Sequence, residues 1–137
     1  SIKPKKKPIL IKISPDLNQD QLDETIDLIL SESLDGIIAT NTTITRDNLK
    51  TNKSKIEKIG NGGLSGEPLK NKSTEVIRYI SKKTSGNLPI IGVGGIMNSK
   101  DALDKIQAGA DLIQLYTGFI YEGPRIVKRI NQYLSKK

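Results

Sequence analysis

Two short glycine-containing stretches have the composition of a phosphate site. Gly92-Val93-Gly94-Gly95 lies between an apolar run and a helical pattern that begins near Ser99. Glycine lets the backbone approach a ligand closely, and the N–H groups at a helix start attract phosphate. Alone, this stretch could equally be a tight turn that needs a positive φ. Tyr116-Thr117-Gly118 follows the last apolar run and favours the phosphate interpretation, since barrel phosphate sites commonly use the loops after the last two strands.

A lysine interrupts the first apolar run, which reads Ile9-Leu10-Ile11-Lys12-Ile13. A buried ammonium group without a partner is unfavourable, so Lys12 requires an anionic partner or an exposed position. It could face water and protect an edge strand from pairing, or it could point at an anionic ligand at the strand end. The run taken alone favours the edge-strand interpretation.

Amide and hydroxyl groups follow the second apolar run, in Thr40-Asn41-Thr42-Thr43. Asn41 can both donate and accept, which suits an imide or amide ring, although a lone Asn is more often a turn residue. Gly62-Gly63-Leu64-Ser65-Gly66 is either a flexible lid or backbone laid against a planar ligand. Asp16 is interpreted as a turn or helix-cap residue. No carboxylate pair has a spacing that indicates acid–base catalysis.

The elements that must position these residues are short apolar runs alternating with helical patterns. Strands are predicted at 8–13, 36–40, 89–93 and 111–116, and helices at 20–34, 73–84, 99–108 and from 124 onward. Near-continuous apolarity is typical of strands covered on both faces. The alternation predicts an α/β fold with a parallel sheet, in which the candidate residues share the carboxyl edge. Four βα units could be half of an eight-stranded barrel or a small open doubly wound sheet.

Two further patterns refine this outline. Residues 41–66 form an unusually long connection, of the kind that is functional or disordered in compact domains, with a weak helical pattern at 50–58. The segments Leu34-Asp35-Gly36-Ile37-Ile38 and Gly109-Ala110-Asp111-Leu112-Ile113 echo each other, each leading from a helix into a strand. The echo indicates a repeated βα unit.

Composition excludes several classes of chemistry. The chain has 137 residues, which indicates about one domain, and it contains neither Cys nor His. Disulfides, thiolate metal sites and a histidine base are therefore excluded, and no metal site is expected. The net charge of +7 comes mostly from lysines at the two ends. We therefore interpret residues 1–7 as a linker and expect no nucleic-acid partner, because a nucleic-acid footprint is a stripe on the folded body.

A set of motifs, taken together, strongly resembles the class 2 dihydroorotate dehydrogenases, the FMN-dependent branch that reduces quinones. The motifs are KISPDL (12–17), TNTT (40–43), GGLSGEPL (62–69), ST (73–74), PIIGVGGI (89–96), QLYTG (114–118) and GP (123–124). The resemblance covers the chain after its Lys-rich start. It implies that residues 8–137 are the C-terminal half, strands five to eight, of a TIM (βα)₈ barrel.

The resemblance also implies roles for individual residues. Lys12 is expected beside the N1/O2 edge of the flavin, where its charge stabilises the reduced flavin, which reverses the edge-strand interpretation. The other expected cofactor-binding residues are Thr40, Gly66, Gly94, Gly95, Tyr116 and Thr117, of which the last four hold the FMN phosphate. Asn41 and Thr42 are expected to bind dihydroorotate.

In this family, dihydroorotate loses a proton from C5 and a hydride from C6, the hydride passes to FMN, and the electrons then pass to a membrane quinone. The proton acceptor is a serine in the first half of the barrel, and neither Ser14 nor Ser65 matches it. The amphipathic N-terminal segment that approaches the quinone also has no match here. The resemblance thus implies that the parent is an enzyme of pyrimidine biosynthesis at the cytoplasmic face of the membrane.

The chain itself is expected to be soluble, and inactive alone because the serine base lies in the first half of the barrel. Its unpaired outer strands are expected to be covered by that first half or by a second copy of the chain. Two alternatives from other classes stay open. One is a non-redox phosphate-binding barrel enzyme, which would not need Lys12 or Asn41. The other is a basic interaction module that uses the lysines at the chain ends.

Overall fold

The structure is a computed structural model that describes residues 7–47 and 49–137. The expected linker 1–7 lies outside the described residues except for Lys7. The elements in chain order are β1 (Leu10–Ile13), α1 (Gln19–Ser31), β2 (Gly36–Ala39), α2 (Lys53–Ile59), a 3-10 helix (Glu67–Leu69), α3 (Lys70–Lys83), β3 (Ile90–Val93), α4 (Ser99–Gln107), β4 (Leu112–Gln114), α5 (Thr117–Glu122) and α6 (Arg125–Leu134). The predicted strands and helices are confirmed, with ends shifted by a few residues, and the weak pattern at 50–58 corresponds to α2.

The four strands form one parallel sheet in the order β1-β2-β3-β4. Each strand therefore points its carboxyl end to the same edge, as the alternating pattern predicts. Neither α5 nor the 3-10 helix was predicted, because both are too short to show a helical period.

Helices cover one face of the sheet within the described residues. Strand side chains alternate between faces, and Ile37, Ala39 and Ile90 on the covered face are buried. On the opposite face, Lys12 and Gln114 are exposed and Ile38 is half-buried. Near-continuous apolarity is typical of strands covered on both faces, whereas half of a barrel is expected to leave its inner residues exposed, as these are. One bare face agrees with the interior of a barrel seen over four of its strands.

Two apolar clusters hold the helices to the sheet. The larger packs Ile26 and Ile29 of α1 and Ile77 and Ile80 of α3 against the covered strand residues. The smaller packs α4 and α6 around Ile126, which is fully buried. None of the described helices is both long enough and apolar enough to cross a membrane.

The echoed segments share a structural role. Asp35 accepts a hydrogen bond from the backbone N–H of Ile9 at 2.8 Å, and its own N–H donates to the Ile9 carbonyl. Asp111 makes the same pair of bonds with Ile90, also at 2.8 Å from the carboxylate. Each aspartate therefore fixes the start of the preceding strand beside its own strand. This shared contact accounts for the echo in the sequence.

Candidate functional site

A cavity of about 470 Å³ opens at the carboxyl edge of the sheet. Its volume is within the range of roughly 300–1,000 Å³ that is typical of small-molecule sites. The structure brings all nine predicted site residues to its lining: Lys12, Thr40, Asn41, Thr42, Gly66, Gly94, Gly95, Tyr116 and Thr117. Residues from the ends of all four strands therefore converge on one site, although their sequence positions span more than a hundred residues.

The turn after β3 forms one wall of this cavity. Gly94 and Gly95 have φ values of +124° and +71°, a region that side chains other than glycine rarely adopt. A Cβ atom on Gly94 would lie 2.9 Å from the Ser73 side chain, and one on Gly95 would collide with the backbone of Lys70. The first turn of α3 therefore packs directly against this turn and fixes its shape.

Gly92 has a different role from the two glycines that follow it. It does not line the cavity, and a Cβ atom on it would lie 2.9 Å from the Ala110 side chain. Its lack of a side chain is needed for packing rather than for a ligand.

The N-terminus of α4 is already capped. The side-chain oxygen of Asn98 accepts from the N–H groups of Lys100 and Asp101, and Asp101 accepts from the N–H of Met97. The sequence suggested that N–H groups at this helix start would bind phosphate. The N–H groups of Met97, Lys100 and Asp101 are thus engaged within the chain, which leaves the glycine turn as the better source of donors for a phosphate on this side of the cavity.

The loop 62–66 contributes Gly63, Ser65 and Gly66 to the cavity lining. The Thr117 hydroxyl donates to the Ser65 hydroxyl at 2.9 Å, and Gly66 has a φ of +82°. A Cβ atom on Gly66 would lie 3.1 Å from the Thr117 side chain, and one on Gly63 would collide with Thr42. The glycines therefore allow this loop to lie against the strand ends.

Lys12 reaches the cavity from β1. Its ammonium group donates to the side-chain oxygen of Gln114 on β4 at 3.3 Å, across the bare face of the sheet. β1 has one neighbouring strand within the described residues, so Lys12 does lie on an outer strand. Its ammonium group nevertheless lies in the cavity lining, which supports the ligand interpretation over edge protection alone.

Asn41 and Thr42 occupy the floor of the cavity beyond β2. The Asn41 side-chain oxygen accepts from the N–H of Thr42 at 2.9 Å, and the Thr40 hydroxyl donates to the Asn41 carbonyl at 2.9 Å. Asn41 thus makes the local turn contact that its residue type predicts. One of the two lone pairs of its oxygen is engaged, so the NH₂ is the more available group for a ligand.

Asp16 holds the loop that carries Asn41 and Thr42. It lies in a turn, as expected, but Asn18 caps α1. Its carboxylate accepts from the Thr43 hydroxyl at 2.6 Å and from the Ile44 N–H at 2.8 Å, and it pairs with Lys72 of α3. Partial burial alone would raise the pKa of Asp16, but the hydrogen bonds from Lys72, Thr43 and Ile44 lower it below its ordinary value. Asp16 is therefore a charged anchor for the loop.

The long connection is ordered by further bonds to this anchored segment. Thr43 and Leu64 form a pair of backbone hydrogen bonds of 3.1 and 2.7 Å. Arg46 donates to the carbonyls of Thr43 and Gly62. The two halves of the connection are thus joined to each other and to Asp16. Sequence patterns gave no signal for Asp16 in this role, because its partners lie 27 to 56 positions away along the chain.

Comparisons with known proteins agree with this geometry. The sequence model of the family described as dihydroorotate dehydrogenase matches residues 2–137. A protein of Christiangramia forsetii named dihydroorotate dehydrogenase (quinone) is 53% identical over 98% of the chain, and one of Trichodesmium erythraeum with the same name is 55% identical over 97%. The chain spans 38% and 36% of these relatives.

A solved structure has the same fold over nearly the whole chain. The structure of dihydroorotate dehydrogenase from Eimeria tenella in complex with ferulenol superposes with a TM-score of 0.86 and 39% identity. The match covers 98% of this chain and 35% of that protein. The parallel α/β sheet described above therefore matches part of such a barrel, and the predicted fold class is confirmed.

Proposed function

Since the chain belongs to the dihydroorotate dehydrogenase family, we propose that it forms the C-terminal part of an enzyme that oxidises dihydroorotate to orotate in pyrimidine biosynthesis. The observation that carries this proposal is the convergence of all nine predicted residues on one cavity. A non-redox phosphate-binding enzyme would account for the glycine turn and Thr117. It would give no reason for Lys12 and Asn41 to share the same cavity.

The residues of the cavity fit FMN as the cofactor. The turn at Gly94 and Gly95, where side chains cannot be accommodated, offers a backbone cradle for the phosphate together with Tyr116 and Thr117. Lys12 adds a positive charge to the same lining, where it would stabilise negative charge on a reduced isoalloxazine ring. Thr40 and Gly66 complete the cofactor wall. When bound, FMN supplies the acceptor for the hydride that leaves the substrate.

We assign the substrate platform to Asn41 and Thr42. The NH₂ of Asn41 and the hydroxyl of Thr42 offer donors to the ring and carboxylate of dihydroorotate. Asp16 and the close approach of Gly63 hold this segment in place. The base that removes the C5 proton is proposed to be a serine from the rest of the barrel, outside this chain.

The acceptor and the location of the longer enzyme follow from the same proposal. The relatives named above carry "(quinone)" in their names, so we propose a quinone as the final electron acceptor. A segment outside this chain would bring the enzyme to the cytoplasmic face of a membrane, where the quinone is dissolved. The partners of the chain are then the first half of the barrel and, transiently, the substrate and product.

A spectrum of the purified longer protein tests the proposal. We expect a yellow protein whose heat-released cofactor is FMN and whose visible absorbance is bleached when dihydroorotate is added without oxygen. The absorbance should return on addition of a soluble quinone. A colourless protein, or one whose bound flavin does not respond to dihydroorotate, would contradict the proposal, and a colourless protein that binds sugar phosphates would favour the non-redox alternative.

A further inference from the structure

Among the described residues, the most deeply buried charged side chain lies behind the glycine turn. Lys105 of α4 is fully buried, with no exposed surface. Its ammonium group donates to the backbone carbonyl of Lys70 at 2.7 Å and to the Thr74 hydroxyl at 2.6 Å. Both acceptors belong to the first turns of α3. Removing an ammonium group from water is unfavourable, so the contacts that it makes must account for its place there.

Those contacts join three segments of the cavity wall. A Cβ atom on Gly95 would collide with the Lys70 backbone, and the Lys105 side chain begins 3.3 Å from the position of a Cβ atom on Gly92. Ser73, the first buried residue of α3, donates a hydrogen bond from its hydroxyl to the Val93 carbonyl at 2.6 Å. Lys105 therefore fixes the stretch of α3 against which the glycine turn rests.

Asp101, one turn earlier on α4, makes a second connection between the same segments. Its carboxylate is buried, accepts from the Met97 N–H at 2.9 Å and pairs with the Lys70 ammonium group at 3.1 Å. α4 thus fixes the start of α3 through Lys105 and Asp101, and fixes the exit of the glycine turn through Asp101. The charged groups that face Lys105 are Asp101, Asp104 and Lys70.

The ammonium group is not required to satisfy the Lys70 carbonyl. The Thr74 hydroxyl already donates to that carbonyl at 2.8 Å. An apolar side chain of similar length at position 105 would therefore leave no buried acceptor without a donor, and such replacements of buried charges are often neutral for stability. The specific contribution of Lys105 is geometric and electrostatic: it ties two points of α3 to α4 and puts a positive charge behind the turn.

We propose that Lys105 is a positioning residue for the phosphate end of the cofactor, acting through Lys70 and Thr74 to hold the Gly94–Gly95 turn in its binding shape. The proposal rests on the proposed FMN function of the cavity. Lys105 does not line that cavity, so it acts on the phosphate through the backbone and not by direct contact. The affinity for a flavin without a phosphate should therefore not depend on Lys105.

The experiment compares FMN with riboflavin, which lacks the phosphate, in the longer protein freed of cofactor. In Lys105→Met, we expect the dissociation constant for FMN to rise at least tenfold while that for riboflavin changes less than twofold, as measured by quenching of flavin fluorescence. Lys100→Met is the matched control, because Lys100 is an exposed lysine on the same helix. It should leave both constants unchanged.

The outcomes separate this proposal from the one on which it rests. Wild-type protein that binds neither flavin overturns the FMN function and the role of Lys105 with it. Wild-type selectivity for FMN in Lys105→Met, or an equal loss of both flavins, overturns the positioning role alone. If Lys105→Met does not fold, Thr74→Val removes one of the two acceptors at nearly constant volume and must show the same selective loss, and unchanged selectivity there overturns the proposal.

Discussion

Lys12 places an ammonium group in the cavity, within hydrogen-bond distance of Gln114. We expect Lys12→Ala in the longer enzyme to slow reduction of the flavin by dihydroorotate by at least tenfold, since a fixed positive charge no longer stabilises the electron-rich ring. Stopped-flow absorbance under anaerobic conditions measures this rate. Lys100→Ala removes an exposed lysine outside the cavity and should reduce at the wild-type rate. A wild-type rate in Lys12→Ala would remove Lys12 from the mechanism.

Asp16 anchors the proposed substrate platform, Asn41 and Thr42, through its bonds to Thr43 and Ile44. Asp16→Asn weakens this anchor, because an amide lacks the charge that pairs with Lys72 and turns one of the acceptor atoms into a donor. We expect the KM for dihydroorotate to rise about tenfold while the FMN content per protein stays unchanged. Asp27→Asn, an exposed carboxylate on α1, is the control. Loss of FMN together with substrate affinity would indicate a general structural role instead.

The burial of Lys105 makes the free energy of unfolding depend on pH. Burial is the main cause that lowers the pKa of Lys105 to about 8 from its ordinary value of 10.5, and Lys70 lowers it further, while Asp101 and Asp104 raise it. Between these two values the unfolded chain binds more protons than the folded one, so the free energy of unfolding rises with pH in this window. The stabilisation is complete above pH 10.5 and is lost as the pH falls through 8.

The comparison with Lys105→Met isolates this contribution. From pH 7 to pH 10, the free energy of unfolding of the wild type should gain about 2 kcal/mol relative to the variant. Other lysines and tyrosines titrate in both proteins and cancel in the difference. Urea denaturation at both pH values and at one protein concentration measures it. A difference that stays constant with pH would mean that Lys105 keeps its ordinary pKa in the folded state.

The site residues differed in how far the sequence could predict them. The family resemblance pointed to nine of the residues that line the cavity, whereas the local pattern around Lys12 alone predicted an edge-strand lysine. Asp16 and Lys105 were not identified in their observed roles. Their partners lie 27 to 56 positions away in the sequence, and no pattern of neighbouring residues reveals such contacts.

At the scale of elements, the two echoed aspartates, Asp35 and Asp111, fix strand starts that differ in how deeply they are buried. Ile90 is almost fully buried whereas Ile9 is exposed, so water replaces the carboxylate less readily at Ile90 than at Ile9. We expect Asp111→Ala to lower the free energy of unfolding by about 1–3 kcal/mol, the range for a buried donor left without a partner. Asp35→Ala should lower it by less than about 1 kcal/mol.

Chemical denaturation of the two variants decides between equal and unequal roles. Equal losses would show that burial of the strand start does not govern the contact. Hydrogen exchange at the Ile90 amide gives an independent measurement, because that amide should lose its protection in Asp111→Ala and keep it in Asp35→Ala.

The apolar runs predicted the positions of the strands and helices better than they predicted which faces of the sheet are covered. The strand–helix alternation predicted the parallel sheet and its order of elements, and the capping box at Asn18 and Gln21 agrees with the acidic, polar start of α1. Coverage of the sheet could not be predicted, because a run of apolar residues looks the same whether its second face meets helices or the interior of a barrel. α5 was not predicted from the sequence, because Thr117–Glu122 is shorter than two helical turns.

At the scale of the whole molecule, the sheet presents two open edges and a bare face within the described residues. β1 and β4 each have one neighbouring strand there, and Leu112 on β4 is 63% exposed. Unpaired strand edges and exposed apolar side chains favour association with another chain. The remaining strands of a barrel would cover both edges and the bare face in the longer protein.

We therefore expect the 137-residue chain, when produced alone, to form dimers or larger species at micromolar concentration. Leu112→Lys places a charge on the β4 edge, where it opposes both apolar contact and strand pairing, and should shift the population towards monomer. Ser135→Lys adds the same charge at the exposed end beyond α6 and should leave association unchanged. Analytical ultracentrifugation distinguishes the species. A monomer whose β1 and β4 amides are protected from hydrogen exchange would show that the half-barrel edges are stable without a partner, against this expectation.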